Sequence, residues 1–186
     1  MFKYTDYIDR KETDVEGVLE VKAPNKIPDV DAIRIFLAGS IEQGKAKKWH
    51  SVLVDATEKN YKGKSPILLL NPRRDDWDSS WVQDIEKNKE FKTQVDWEMT
   101  GIHTSDIIII NFEDDTKSPI TLLELGFVAG LKTEDEDLKV LVRCSPKFWK
   151  FGNVQYVCAA FGFEHVHTID KLIDKYVKLL KEYEND

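Results

Sequence analysis

The group in this chain best placed for chemistry is the carboxylate of Glu124. It lies in the stretch SDIIIINFEDDTKSPITLLELGFVAG, residues 105–130. Asp106 to Asn111 is a continuous β-branched run, as expected of a strand covered on both faces. A polar loop follows, carrying Glu113, Asp114 and Asp115, and Ser118-Pro119 then reads as a helix start, with Ser at the N-cap and Pro in the first turn. Ligands of open α/β sheets bind where strand ends meet helix N-termini, so Glu124 falls near such a place. Two readings stand side by side. Thr121-x-x-Glu124 fits a capping box, in which the Glu closes onto a backbone N–H. A carboxylate at a strand-end crevice instead serves as nucleophile or general acid–base. A helix that begins at Ser118-Pro119 puts Glu124 beyond the capping position.

Other groups gather at the ends of other expected strands. Gly39-Ser40-Ile41-Glu42-Gln43-Gly44 follows the strand Ala32–Ala38, and its backbone N–H groups beside a helix N-terminus suit an anion or a sugar hydroxyl. It contains neither a P-loop nor a G-x-G-x-x-G fingerprint. The strand Pro66–Asn71 runs into Pro72-Arg73-Arg74-Asp75-Asp76-Trp77-Asp78. In this loop Asn71, Arg73, Asp75 and Trp77 are candidate ligand contacts: an Arg fork binds carboxylate or phosphate, and an indole face stacks on a planar base. The plainer reading is a solvated, self-paired charge run. Ser118 and Thr121 are further candidates at the start of the Glu124 helix. Asp96 and Glu98 occupy the later half of a helix expected over about 81–104, where carboxylates are disfavoured by the helix dipole. His165 and His167 share one face of a short last strand, Glu164–His167, but have no third ligand nearby in sequence, so no metal site is assigned.

These residues need a scaffold, and the apolar pattern supplies one. Strands are expected at Ala32–Ala38, Pro66–Asn71, Asp106–Asn111, Leu138–Arg143 and Glu164–His167, with helices at about 45–60, 81–104, from Ser118 onward, at 154–161 and after Thr168. Strict alternation of strand and helix implies an α/β fold with a doubly wound, five-stranded parallel sheet in the flavodoxin-like, Rossmann-like order 2-1-3-4-5. The Gly39-Ser40 turn and the 112–124 segment then border one crevice. Residues 1–30 are charged and read as an N-terminal arm containing one short strand at Val18–Lys22; residues 31–186 read as a single domain.

The 186 residues carry a formal net charge of −7, which argues against binding a nucleic-acid polymer. No apolar run approaches the roughly 18 residues of a membrane span, and the charged N-terminus is unlike a signal peptide. Cys144 and Cys158 form no metal or redox motif, so a reducing, cytoplasmic setting is expected.

Together, FLAGSI (36–41), NPRRDDW (71–77), WEMTGIHTSDIIII (97–110) and SPITLLELG (118–126) resemble the nucleoside 2-deoxyribosyltransferase-like superfamily, in the right order across residues 33–130. The resemblance implies a flavodoxin-like fold and cleavage of the N-glycosidic bond of nucleosides or nucleotides. It also implies that the glutamate of the E-L-G helix start, here Glu124, is the nucleophile on the anomeric carbon. The family's upstream acid, normally Asp, stands eight residues before the Asp that opens the central strand; counting back from Asp106 gives Glu98, with Asp96 as the fallback. No metal or redox cofactor is implied, and the family completes its site with a neighbouring subunit, so a homo-oligomer is expected. Phe148, Trp149 and Tyr156 would otherwise be exposed.

Two departures bear on the substrate. Nucleoside-specific transferases carry an Asp six residues before the nucleophile, where this chain has Ser118, and often a Tyr in strand one, where it has Phe36. The related 2′-deoxynucleoside 5′-monophosphate N-glycosidases have a serine at the Ser118 position and a similar G-S-I turn. The expected substrate is therefore a (2′-deoxy)nucleoside or its 5′-monophosphate, with Ser118, Ser40 and Arg73 or Arg74 as donors to a phosphate. Glu113, Asp114 and Asp115 would oppose this if they faced the crevice. A non-catalytic nucleotide-binding or sensing domain on the same fold is the alternative.

Overall fold

The computed structural model describes residues 4–11, 14–40, 49–74, 76–78 and 80–184. Ile41, the start of the first helix near Lys45, and Asp75 lie outside the described residues.

In chain order the elements are a 3-10 turn (Tyr4–Tyr7), β1 (Ile8–Asp9), β2 (Val18–Lys22), β3 (Ile27–Pro28), β4 (Ile33–Gly39), α1 (Trp49–Asn60), β5 (Ile67–Asn71), α2 (Lys89–His103), β6 (Ile107–Phe112), α3 (Pro119–Glu134), β7 (Lys139–Cys144), α4 (Phe151–Phe161), β8 (Glu164–Val166) and α5 (Ile169–Glu182). The main sheet is parallel and has six strands in the order β2-β5-β4-β6-β7-β8; β1 and β3 form a separate two-stranded pair. The expectation of five strands in the order 2-1-3-4-5 is thus corrected by one strand. Val18–Lys22 is that strand, and it pairs with β5 from Val18 against Ile67 to Lys22 against Asn71. The reason is physical: every residue of β5 is buried, and an apolar strand of that kind makes a hazardous open edge. β2, with Glu20 and Lys22, covers it.

The sheet is covered on both faces, and β6 shows how. Ile108 and Ile110 join Phe36, Trp97, Leu125, Val128 and Val154 on the side of α2, α3 and α4. Ile107 and Ile109 join Leu37, Trp49, Leu53, Leu172 and Tyr176 on the side of α1 and α5. Because side chains alternate along a strand, a continuous isoleucine run fills two cores at once.

Two further expectations change. The helix expected over 81–104 begins only at Lys89. Before it, the side chains of Asp78 and Asp84 accept from the backbone N–H groups of Ser80 and Glu86, and Asn88 caps the true helix by accepting from Phe91 N at 2.7 Å. Short Asp and Asn side chains compete with helical backbone bonds in this way. Val82 and Ile85, whose spacing would suit the buried side of such a helix, are exposed. The helix expected from Val154 begins at Phe151.

The chain leaves β4 through α1 toward β5 on one side, then returns through α2 to β6 on the other. The crevice between the carboxyl ends of β4 and β6 is the switch point of such a sheet.

Candidate active site

Gly39 ends β4 at the floor of this crevice, with φ of 153°. A Cβ there would stand 2.5 Å from Asn111 O and 2.8 Å from the Trp49 ring, so only glycine lets β4, β6 and α1 close together. Ser40 follows. Its hydroxyl forms a buried triad with Thr116 and Ser118: Ser40 Oγ lies 2.9 Å from Thr116 Oγ1 and 2.5 Å from Ser118 Oγ, and the latter two are 2.7 Å apart. Glu113 N donates to Ser40 Oγ at 3.0 Å, and Thr116 Oγ1 donates to Glu113 O at 2.9 Å. The triad therefore pins the 113–118 loop onto the Gly39-Ser40 turn. It also holds Ser118 in a left-handed conformation, with φ of 44°, which costs a non-glycine residue about 1 kcal/mol.

Ser118 precedes α3 but its side chain makes no capping bond to the helix. Pro119 is the first helical residue, which makes Thr121 the third and Glu124 the sixth. The Thr121–Glu124 pair therefore cannot form a capping box, which needs the Thr outside the helix. Glu124 is left as a half-buried carboxyl one and a half turns into α3. Glu98 is half-buried in the second half of α2.

The two carboxyls titrate as a pair. Burial pushes Glu98 up to about 7, moderated by a hydrogen bond from Gln94 Nε2 to its Oε1 at 2.8 Å. Burial, and then the charge of Glu98, hold Glu124 well above the ordinary carboxylate range. Each like charge makes the other carboxyl harder to ionise. Asp96, in contrast, faces a Lys92 ammonium and accepts from Tyr7 OH at 3.3 Å, which ties it to the N-terminal segment.

The loop after β5 reaches the same place. Asn71 Nδ2 donates to Glu20 Oε1 at 2.7 Å, and Asn71 Oδ1 accepts from Arg73 N at 3.0 Å. Gln94 Nε2 also donates to Pro72 O at 2.8 Å, so one amide joins this loop to Glu98. Arg74 is withdrawn: it grips Asp76 through two hydrogen bonds at 2.7 and 2.8 Å and lies 5.0 Å over the Trp81 ring. Trp77 packs against Trp81 with ring centroids 5.0 Å apart and is itself 39% exposed, leaving indole surface for a planar group.

The acidic loop does not leave bare charge at the crevice. Arg143 lies 3.5 Å from Glu113 and 3.6 Å from Asp114, and Ser145 Oγ donates to Asp114 Oδ1 at 2.6 Å. Asn111 Nδ2 donates to Glu113 Oε1 at 2.9 Å. Asp115 is exposed.

The structure thus brings Gly39, Ser40, Asn71, Arg73, Ser118, Thr121, Glu98 and Glu124 to one end of the sheet, with Trp77 in the outer loop. Gln94, Asn111, Thr116 and His50 also stand there and were not singled out from sequence. Gln94 was accessible to reasoning, since it lies one helical turn before Glu98. His165 and His167 pack edge-on 5.1 Å apart, and no group of three metal-ligating side chains occurs among the described residues.

No curated protein matches the chain. Among solved structures, a conserved protein from Enterococcus faecalis V583 shares the fold, with a TM-score of 0.55 at 14% identity, over 80% of this chain and 98% of that one. The family model described as nucleoside 2-deoxyribosyltransferase like matches residues 32–146, a span that runs from β4 to the end of β7 and contains both carboxyls. By that match the chain belongs to the nucleoside 2-deoxyribosyltransferase-like family.

Proposed function

We propose that the chain breaks the N-glycosidic bond of a (2′-deoxy)nucleoside or its 5′-monophosphate through a glycosyl-enzyme intermediate. The observation that carries this reading is the pair of interacting, half-buried carboxyls, Glu98 on α2 and Glu124 on α3, at the switch-point crevice. As the base departs, positive charge builds at the anomeric carbon. Glu124 attacks that carbon as the C–N bond breaks, and the proton on Glu98 passes to the departing base nitrogen. Water, or a second base, then gives a proton to the ionised Glu98 and attacks the same carbon, breaking its bond to Glu124. Water gives hydrolysis and a base gives transfer. A carboxyl pair that holds one proton supplies both roles, one ionised and one protonated.

The outer surface of α3, α4 and the turn before α4 leaves Ile120, Leu123, Trp149 and Tyr156 more than half exposed. In our reading a second copy covers this face, making a homo-oligomer, and the chain works in the cytoplasm. No helix among the described residues is long and apolar enough to cross a membrane.

The test incubates the chain with common nucleosides, 2′-deoxynucleosides, their 5′-monophosphates and dinucleotides such as NAD, and follows free base by chromatography. Base release that disappears in a folded Glu124→Ala variant is expected. Release from no compound, or near-native release by that variant, defeats the proposal; binding without release favours the non-catalytic alternative.

A further inference from the structure

Buried polar atoms normally have partners. Among the described residues, several without one gather at the carboxyl end of the sheet: Nδ1 and Nε2 of His50, Nη1 of Arg73, Oε1 of Gln94 and Oδ1 of Asn111. His50 is 2% exposed and stacks on Trp49 with ring centroids 3.9 Å apart. Trp49 in turn packs on Gly39 and donates to Ser40 O at 3.4 Å. His50 therefore stands beside the end of β4. Arg73 stands beside the end of β5, held by Asn71, and its charge reaches the imidazole. Gln94 reaches from α2 to both Pro72 O and Glu98, and Asn111 lies near the end of β6.

These orphaned atoms are sorted by chemistry. Arg73 Nη1 is a donor only, and a neutral imidazole donates from one nitrogen. Gln94 Oε1 and Asn111 Oδ1 are acceptors only. A ligand that completes the set carries both acceptor oxygens and hydroxyl or amino donors. Charge points the same way. Among the described residues no carboxylate pairs with Arg73. The nearby acid Glu20 is engaged by Asn71 at 2.7 Å and faces Lys22 at 3.9 Å. Burial, and then the positive charges of Arg73 and Lys22, hold His50 neutral. A partly buried cation without a counter-charge is costly, and an anionic ligand removes that cost. The hydroxyls of Ser40, Thr116 and Ser118 already satisfy one another, so they have the smaller need of a phosphate.

We propose that His50 and Arg73 hold the phosphate-monoester end of the substrate, and that its hydroxyl or amino groups answer Gln94 and Asn111. This rests on the nucleotide reading of the same crevice. Binding is measured by calorimetry on the full chain carrying Glu124→Gln, so that nothing is consumed, using 2′-deoxynucleoside 5′-monophosphates and the matching nucleosides. The monophosphate binds more tightly, and Arg73→Met and His50→Gln each weaken it about tenfold while changing nucleoside affinity little. Equal weakening of both ligands, or of neither, overturns the proposal. Should a variant fail to fold, the wild-type chain decides: of the four histidines, the ring signal of His50 shifts in NMR spectra as inorganic phosphate is added at constant ionic strength, and a fixed signal overturns the proposal. Monophosphate binding through Arg73 without base release by wild type leaves the phosphate seat standing and removes the glycosidase reading. Base release that ignores Arg73→Met does the reverse.

Discussion

Replacing Glu98 by Gln should stabilise the protein at alkaline pH. In the folded chain burial moves the Glu98 carboxyl from 4.5 to about 7. The folded state therefore keeps a proton that the unfolded state has released, and stability falls as pH rises through that window. The full separation corresponds to roughly 3 kcal/mol; partial exposure of the group reduces this to about 1–2 kcal/mol. Gln is neutral throughout, retains an oxygen to accept from Gln94 Nε2, and relieves the repulsion felt by Glu124. For a chain of this size the gain corresponds to a rise in Tm of about 2–8 °C at pH 8. At pH 4, where both states hold the proton, the two proteins should melt together. Thermal unfolding followed by circular dichroism from pH 4 to pH 8 gives both curves. Parallel curves, or a variant that melts lower at pH 8, would refute the view that this carboxyl is held protonated against solvent.

Gln94→Leu removes the donor that favours ionised Glu98, so the acid keeps its proton longer and the alkaline limb of kcat/KM moves to higher pH; an unmoved limb in a pH–rate profile would separate Gln94 from the acid. Gly101→Ala places a Cβ 2.6 Å from the fully buried Phe36 ring. Overpacking of about 1–3 kcal/mol should exceed the roughly 1 kcal/mol gained in helix propensity, so Tm falls by a few degrees, and an unchanged Tm would show that α2 shifts freely on β4. Trp149→Ser together with Tyr156→Ser should lower the oligomeric state in light scattering if α3 and α4 form a subunit face, and a wild-type monomer at micromolar concentration removes that face as an interface.

The parts of the fold legible in the sequence were those set by local apolar pattern. β4, β5 and β6 are runs that suit only a doubly covered strand, and α5 keeps its stripe from Ile169 to Leu180, with Thr168 accepting from Lys171 N as its cap. The helix before Lys89 misled because Val82 and Ile85 keep helical spacing while Asp78 and Asp84 close turns on the backbone. Spacing records the apolar residues and is blind to that competition. Edge strand β2 was legible as a strand, but nothing local told which strand it joins. The site shows the same division. Glu124 and the Gly39-Ser40 turn were legible, whereas Arg143, which neutralises Glu113 and Asp114, lies about thirty residues away in sequence and meets them only because β7 pairs with β6. His50 offered no signal, since a histidine at the start of an apolar helix is ordinary until its ring nitrogens are found buried and unpartnered.

Which carboxyl keeps the shared proton follows from three effects of different size. Burial, with the charge of Glu98, lifts Glu124 strongly in the protein alone, which taken by itself would protonate the proposed nucleophile. Helix position acts the other way. Glu124 is the sixth residue of α3, nearer its positive N-terminus, while Glu98 lies in the second half of α2, toward its negative end. That difference is worth only a few tenths of a kcal/mol so far inside the helices. The deciding effect is the reaction itself. Positive charge at the anomeric carbon, about 4 Å from a carboxylate, contributes roughly 4 kcal/mol at the effective dielectric of a half-buried site. That exceeds the helix effect and opposes the lift from burial. In the proposed reaction the carboxyl under the sugar therefore ionises as the bond breaks, and its repulsion of the other holds the proton there, facing the departing base. Asn could not replace Glu124 in this scheme, because an amide supplies neither the charge that answers the cation nor the oxygen that traps it.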